Sequence, residues 1–158
     1  MFSNKQKLKK FLEERGTKKI AHVKNTTLFD HFMRVGQTLQ SWGLPDYVVD
    51  AGMCHSIYGT EVFTKVTLTT GERELLRNAV GEKAEQLVFL FGTIQRNSLR
   101  TMTNGYAFLH RETAEKILLT EIEARAILHI LIANELDHFT LNAFAHHGSA
   151  FQIFTPWM

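Results

Sequence analysis

Cysteine is almost missing from this sequence. A single one, Cys54, stands among 158 residues. That excludes an internal disulfide and fits a reducing, cytoplasmic compartment. Proline occurs only twice, while phenylalanine occurs twelve times. Few helix interiors are broken, and bulky apolar groups abound, which suits a compact, mostly helical domain. Charge of one sign is also lacking: 18 Lys+Arg against 16 Asp+Glu leave a formal net charge of +2. That balance gives no footprint for nucleic acid or an anionic membrane. The local excess, Lys5, Lys7, Lys9, Lys10, Lys18, Lys19 and Lys24, precedes residue 25 and reads as a solvated face. No apolar run approaches the length of a membrane span, and no signal-peptide pattern opens the chain. What is present is a 44% hydrophobic content. It suffices for one domain over 1–158, with its core roughly from 25 to 145.

Leu8, Phe11 and Leu12 share one face of a helix expected over 4–15, which Gly16 ends. Thr26 or Thr27 can cap the next helix, with Asp30 in its first turn. Leu28, His31, Phe32, Val35, Leu39 and Trp42 form its apolar stripe. Gly43 stops it, and Pro45 opens a third helix expected over Asp46 to Ser56. Residues 57–69 read as irregular. Thr70 can cap a helix over 72–80, and another is expected from Glu82 to about Ile94. Residues 95–119 carry no clear period beyond a polar turn at 101–105 and a short strand candidate at Tyr106–Leu109. Thr120-Glu-Ile-Glu123 is a capping box that opens the longest helix, to roughly Ala145. The apolar tail from Phe151 is expected to dock on the body. The fold class expected is all-α, a helical bundle.

The stretch Asp50–Glu61, D-A-G-M-C-H-S-I-Y-G-T-E, organises the rest. Ala51 to Cys54 are small and apolar, so a helix there is buried on every side. Cys54 within it reads as a small hydrophobe, not a nucleophile. The run delivers His55 and Ser56 at its end. The bland account is a core helix whose His55 is merely hydrogen-bonded. Against it stands the number of polar residues on buried faces. His31 lies on the apolar stripe of the second helix. Asn134, Asp137 and His138 share one side of the last. Two histidines and oxygen donors from separate helices could hold a divalent ion such as Mn²⁺, Fe²⁺ or Zn²⁺.

Leu28-x-x-His31, then Ala51-Gly52-Met53-Cys54-His55, then Gly81-Glu-Lys-Ala-Glu-Gln-Leu-Val88 and Ile132-Ala133-Asn134-Glu135-Leu136 follow in a telling order. Over roughly 25–140 the chain resembles the HD-domain superfamily, nearest the hydrolase half of stringent-response ppGpp synthetase/hydrolases. Its His-Ser-x-Tyr-Gly-Thr is similar to a small branch of HD-like domains. The resemblance implies an HD-like bundle in which His31 and His55 ligate a metal for phosphohydrolysis. Two carboxylates of the family pattern are replaced, by Ser56 and by Asn134, so these carry over as positions only. Asp137 or His138, one turn further along, could substitute. The acidic pair of the ppGpp hydrolases falls on Gly59 and Thr60, which implies no efficient ppGpp hydrolysis.

On that resemblance the leading expectation is a metal-dependent hydrolase acting on a small phosphorylated or nucleotide-like molecule. Ser56, Tyr58 and Thr60 would position substrate or water, and Glu61 is the nearest candidate general base. Arg34, Arg73 or Arg96 could meet phosphate, although each reads more readily as a surface arginine. The rival is a catalytically degenerate HD-fold binding module. A third choice is a two-iron HD-type oxygenase, which needs further histidines between the pair and the last acidic position. Only His110 and His129 are offered there. His146-His147 reads as an exposed helix end.

Overall fold

The computed structural model describes residues 4–102 and 105–141. The sequence runs through α1 (Asn4–Glu14), α2 (Leu28–Ser41), α3 (Asp46–Gly52), α4 (Arg73–Val80) and α5 (Glu82–Thr93). It then enters a three-stranded antiparallel sheet, β1 (Ile94–Met102), β2 (Gly105–His110) and β3 (Lys116–Leu119), in the order β1-β2-β3. The described part closes with α6 (Glu121–Leu141). The all-α expectation is therefore corrected: the described residues combine six α-helices with a sheet. The expected extension of the last helix to Ala145, His146-His147 and the apolar tail lie outside the described residues. Among the described residues no helix is long and apolar enough to cross a membrane.

The caps explain where two of the site-bearing helices start. Thr27 accepts the Asp30 amide at 3.2 Å, and Asp30 Oδ2 accepts the Thr27 amide at 2.9 Å, a reciprocal cap that opens α2. Thr120 and Glu123 do the same for α6, at 3.2 and 2.9 Å. The third helix is shorter than its sequence suggests. α3 ends at Gly52, and Met53 to Tyr58 turn instead of continuing it. Every residue from Ala51 to Thr60 is nonetheless buried. His55 thus sits on a buried turn. Gly59 follows with φ +75°, a left-handed conformation that reverses the chain cheaply only with glycine.

α2 and the α3 segment approach closely. A Cβ on Gly36 would overlap Met53 Cγ, and one on Gly52 would overlap Leu39 Cδ1. Gly36→Ala is expected to lower stability by ~1–3 kcal/mol through overpacking, despite the ~1 kcal/mol that alanine gains in a helix. Urea unfolding checks this. A variant more stable than wild type would show that the two segments have room to part.

β2 contains the strand candidate Tyr106–Leu109, whereas β1 and β3 escaped the sequence pattern for a physical reason. β1 follows α5 with no breaker, and its pairing with β2 shifts between Gln95 and Arg100. That irregularity destroys the period-two alternation by which a strand is recognised. β3 leaves Leu118 67% exposed, so its apolar residues do not mark one buried face.

Candidate metal centre

Three polar atoms meet beneath α2, the 53–58 turn and α6. His31 is wholly buried, and its Nδ1 lies 2.7 Å from Asp137 Oδ2. The carboxylate can only accept, so Nδ1 carries a proton, and Nε2 offers a lone pair whenever that is the ring's one proton. His55 Nδ1 lies 2.8 Å from the Gly52 carbonyl, which also only accepts, so Nε2 of His55 is again a lone pair. Asn134 Nδ2 donates to Glu135 Oε1 at 3.2 Å, which turns Oδ1 toward the histidines. Oδ1 stands 3.1 Å from His31 Nε2 and 3.0 Å from His55 Nε2. The two Nε2 atoms are 3.3 Å apart.

With both rings neutral, three acceptors would meet with no proton between them. Such an arrangement calls for a cation at its centre. Imidazole and oxygen donors held about 2.0–2.2 Å from a divalent ion stand roughly 3.0–3.5 Å from one another. The observed edges fall in that range, so these residues fit a metal. Burial and the neighbouring His31 hold the His55 pKa well below its ordinary value, which keeps the ring a ligand-ready base.

Behind the triangle, Asp137 accepts from Arg34 Nε at 2.6 Å and Nη2 at 3.1 Å as well as from His31. Burial opposes its ionisation, but the hydrogen bonds from His31 and Arg34 prevail and bring its pKa down to about 2. Asp137 therefore fixes the His31 ring in the way a carboxylate commonly orients a metal-ligating histidine. In front lie His22 and His138, with Nε2 atoms 3.0 Å apart. Burial first, then the nearby His31, lowers their pKa values to about 4 and about 3.

The sequence did not single out His22. It stands in a turn, not on a helix. A bridge between Ala21 and Thr27, and a 2.8 Å bond from the His22 amide to the Thr26 carbonyl, fold that turn back over the start of α2. Lys24 and Asn25 both take positive φ to make it. The only signal was a histidine among apolar neighbours, Ala21 and Val23.

The other candidates fall in different places. Ser56 is buried beside His55, and its hydroxyl makes no hydrogen bond to a described residue. The Tyr58 hydroxyl donates to Glu85 at 2.8 Å, away from the histidines. Arg73 grips the same Glu85 at 2.6 and 2.8 Å, and Arg77 adds a bond at 3.1 Å. Burial would raise the Glu85 pKa, yet bonds from Arg73 and Tyr58 hold it below its usual value. This is a structural ion cluster. Thr60 closes a turn, its Oγ1 accepting the Phe63 amide at 2.9 Å. Glu61 is exposed and accepts the Arg96 amide at 3.0 Å. Arg34 is bound to Asp137. Arg96 lies over Phe91 and bonds to Glu135 at 3.2 Å, with only 8% of its side chain exposed. So Glu135 ties Arg96 to Asn134. Cys54 is buried, donates to the Asp50 carbonyl, and has its thiol pKa pushed well up by burial, which leaves it unreactive. His110 accepts two turn amides, and His129 bonds to its own helix at the Arg125 carbonyl, so neither joins the cluster.

A family model described as a domain of unknown function (DUF6817) matches residues 11–96. That span holds His22, His31 and His55 but ends before α6. No curated protein and no solved structure matches the chain.

Proposed function

We propose, for a chain that belongs to this family of unknown function (DUF6817), an HD-like, metal-dependent hydrolase activity on a small phosphorylated or nucleotide-like molecule. The observation that carries the proposal is the meeting of His31 Nε2, His55 Nε2 and Asn134 Oδ1 at 3.0–3.3 Å, with both Nδ1 atoms engaged elsewhere. These three would hold a Mn, Fe or Zn ion. A divalent ion there supplies Lewis acidity toward a phosphoryl oxygen and a lowered pKa for water. Asp137 holds the His31 tautomer, and Glu135 holds the Asn134 amide. The surrounding charges cancel in pairs, Arg34 with Asp137 and Arg96 with Glu135. With no carboxylate among the three donors, the charge of the ion is left for an anionic ligand to balance, which favours a phosphorylated substrate. The lone, buried Cys54 suits a cytoplasmic setting.

One observation favours a second reading, a binding module without turnover. Tyr58, Thr60 and Glu61 are committed to Glu85, Phe63 and Arg96, which leaves no evident general base among them. Elemental analysis after Mn²⁺, Fe²⁺ and Zn²⁺ supplementation tests both. Stoichiometric metal in wild type that is lost in His55→Ala supports the site. Turnover of a nucleotide panel then separates hydrolase from binding module. Wild type without metal under all three supplements overturns the hydrolase.

A further inference from the structure

His22 and His138 form a pair of their own. Their ring nitrogens and one of His31 lie within 4.8 Å of one another, and His55 is not part of that set. The histidine nitrogens therefore do not surround a single point. The inner triangle is buried, whereas His22 and His138 are only partly so. Both outer rings are held. His138 stacks on His31 with centroids 4.9 Å apart and planes 9° apart. His22 rests edge-on against Phe63 at 5.5 Å and tilted on His31 at 4.3 Å. His22 arrives from the 21–27 turn, and His138 follows the residue that fixes His31.

We propose that His22 and His138 hold a second metal ion, beside the inner one and nearer solvent. Two imidazole nitrogens with no carboxylate select zinc, copper or nickel over magnesium or calcium. Two protein donors leave coordination positions open, and an anion bridging the two ions would fill one from each side. That bridging role rests on the inner site proposed above; the donors themselves do not. Two neighbouring dications repel, so the outer ion binds more weakly, and inorganic phosphate tightens it.

The test is equilibrium dialysis of chelator-stripped protein against Zn²⁺, with and without inorganic phosphate, read by elemental analysis. The expected result is one tightly held zinc and a second whose apparent affinity rises at least ~10-fold with phosphate. His22→Gln and His138→Gln should each lose the second zinc and keep the first. His55→Ala should lose the first and keep the second, without the phosphate effect. Circular dichroism and melting verify that each variant is folded, and having two outer variants guards against one misfolding. A single zinc that His55→Ala removes and neither outer variant affects overturns the second ion and leaves the inner site standing. Two zincs that both survive His22→Gln and His138→Gln overturn it as well. No zinc in wild type overturns the inner site with it.

Discussion

His31→Ala should abolish metal binding at the proposed inner site and cost on the order of 3 kcal/mol of stability. Among the described residues no other side chain meets so many groups of the cluster. Its ring touches His22, His55, His138 and Phe32, with centroids 4.3 to 6.2 Å away. Among the described residues it is also the only bridge from Asp137 to the other two atoms of the triangle, through Nδ1 on one side and Nε2 on the other. Truncation removes a fully buried ring and leaves a cavity that α2 and α6 cannot close without moving. It leaves the buried Asp137 carboxylate with Arg34 alone, and a buried charge short of partners adds to the loss. His31→Gln separates the two effects. An amide can still donate to Asp137 and fills part of the space, so it should recover much of the stability and none of the metal. Urea unfolding and metal content read the two outcomes. A His31→Ala protein as stable as wild type would show that the ring is not packed among these neighbours. One that keeps full metal affinity would remove His31 from the ligand set.

The helices were legible because their signals are local. Thr27 with Asp30, Thr120 with Glu123, and the Leu28–Phe32–Val35–Leu39 stripe all declare themselves within a turn or two. His31 and His55 were legible for a related reason: each interrupts a run of apolar residues that has no other cause to be polar. What failed depended on distant partners. β1 is recognisable only once β2 pairs with it, and the shifted register at Gln95–Arg100 hides even that. Tyr58 was expected to position substrate or water, and its hydroxyl donates to Glu85. Its partner Glu85 lies 27 residues on, so no spacing could reveal it. Arg34, Arg73 and Arg96 looked alike in the sequence, yet each is held by a different carboxylate, Asp137, Glu85 or Glu135. His22 was hidden by its turn, since hydrophobic periodicity says nothing of a residue outside regular structure.

Against the HD pattern that the sequence resembles, the geometry gives the amide of Asn134 a physical reason. At the position of Asn134 an acid would sit against Glu135, itself an anion whose charge Arg96 already balances. The amide avoids that repulsion: its Nδ2 donates to Glu135 while its Oδ1 faces the rings. The negative charge is instead one residue layer back, on Asp137, where Arg34 balances it. On the proposed reading the acid supports a histidine instead of ligating the ion, which would weaken ion binding and strengthen the demand for an anionic partner.

Stability in the absence of metal should fall steeply with acid, beginning near pH 6.5. His22 and His138 have folded pKa values of about 4 and about 3, below the 6.5 of the unfolded chain. Between those values the unfolded state takes up protons that the folded state refuses. Stability is therefore present above pH 6.5 and is lost as pH falls toward the folded values, at up to ~1.4 kcal/mol per unit for each ring. Both rings keep contact with solvent, which weakens the effect, so the pair together should cost on the order of 2–3 kcal/mol between pH 7 and pH 5. Asp137 adds a second loss lower down. Its folded pKa of about 2 lies under the ordinary 3.8, so its contribution survives to about pH 4 and disappears only below it. Urea midpoints of chelator-treated protein across pH 7.5 to 4.5 measure the first slope. The His22→Gln/His138→Gln double variant should start less stable and show a flatter slope, and it is the slope that carries the test. A wild-type midpoint unchanged from pH 7 to pH 5 would mean that these rings accept protons in the folded state as readily as in water.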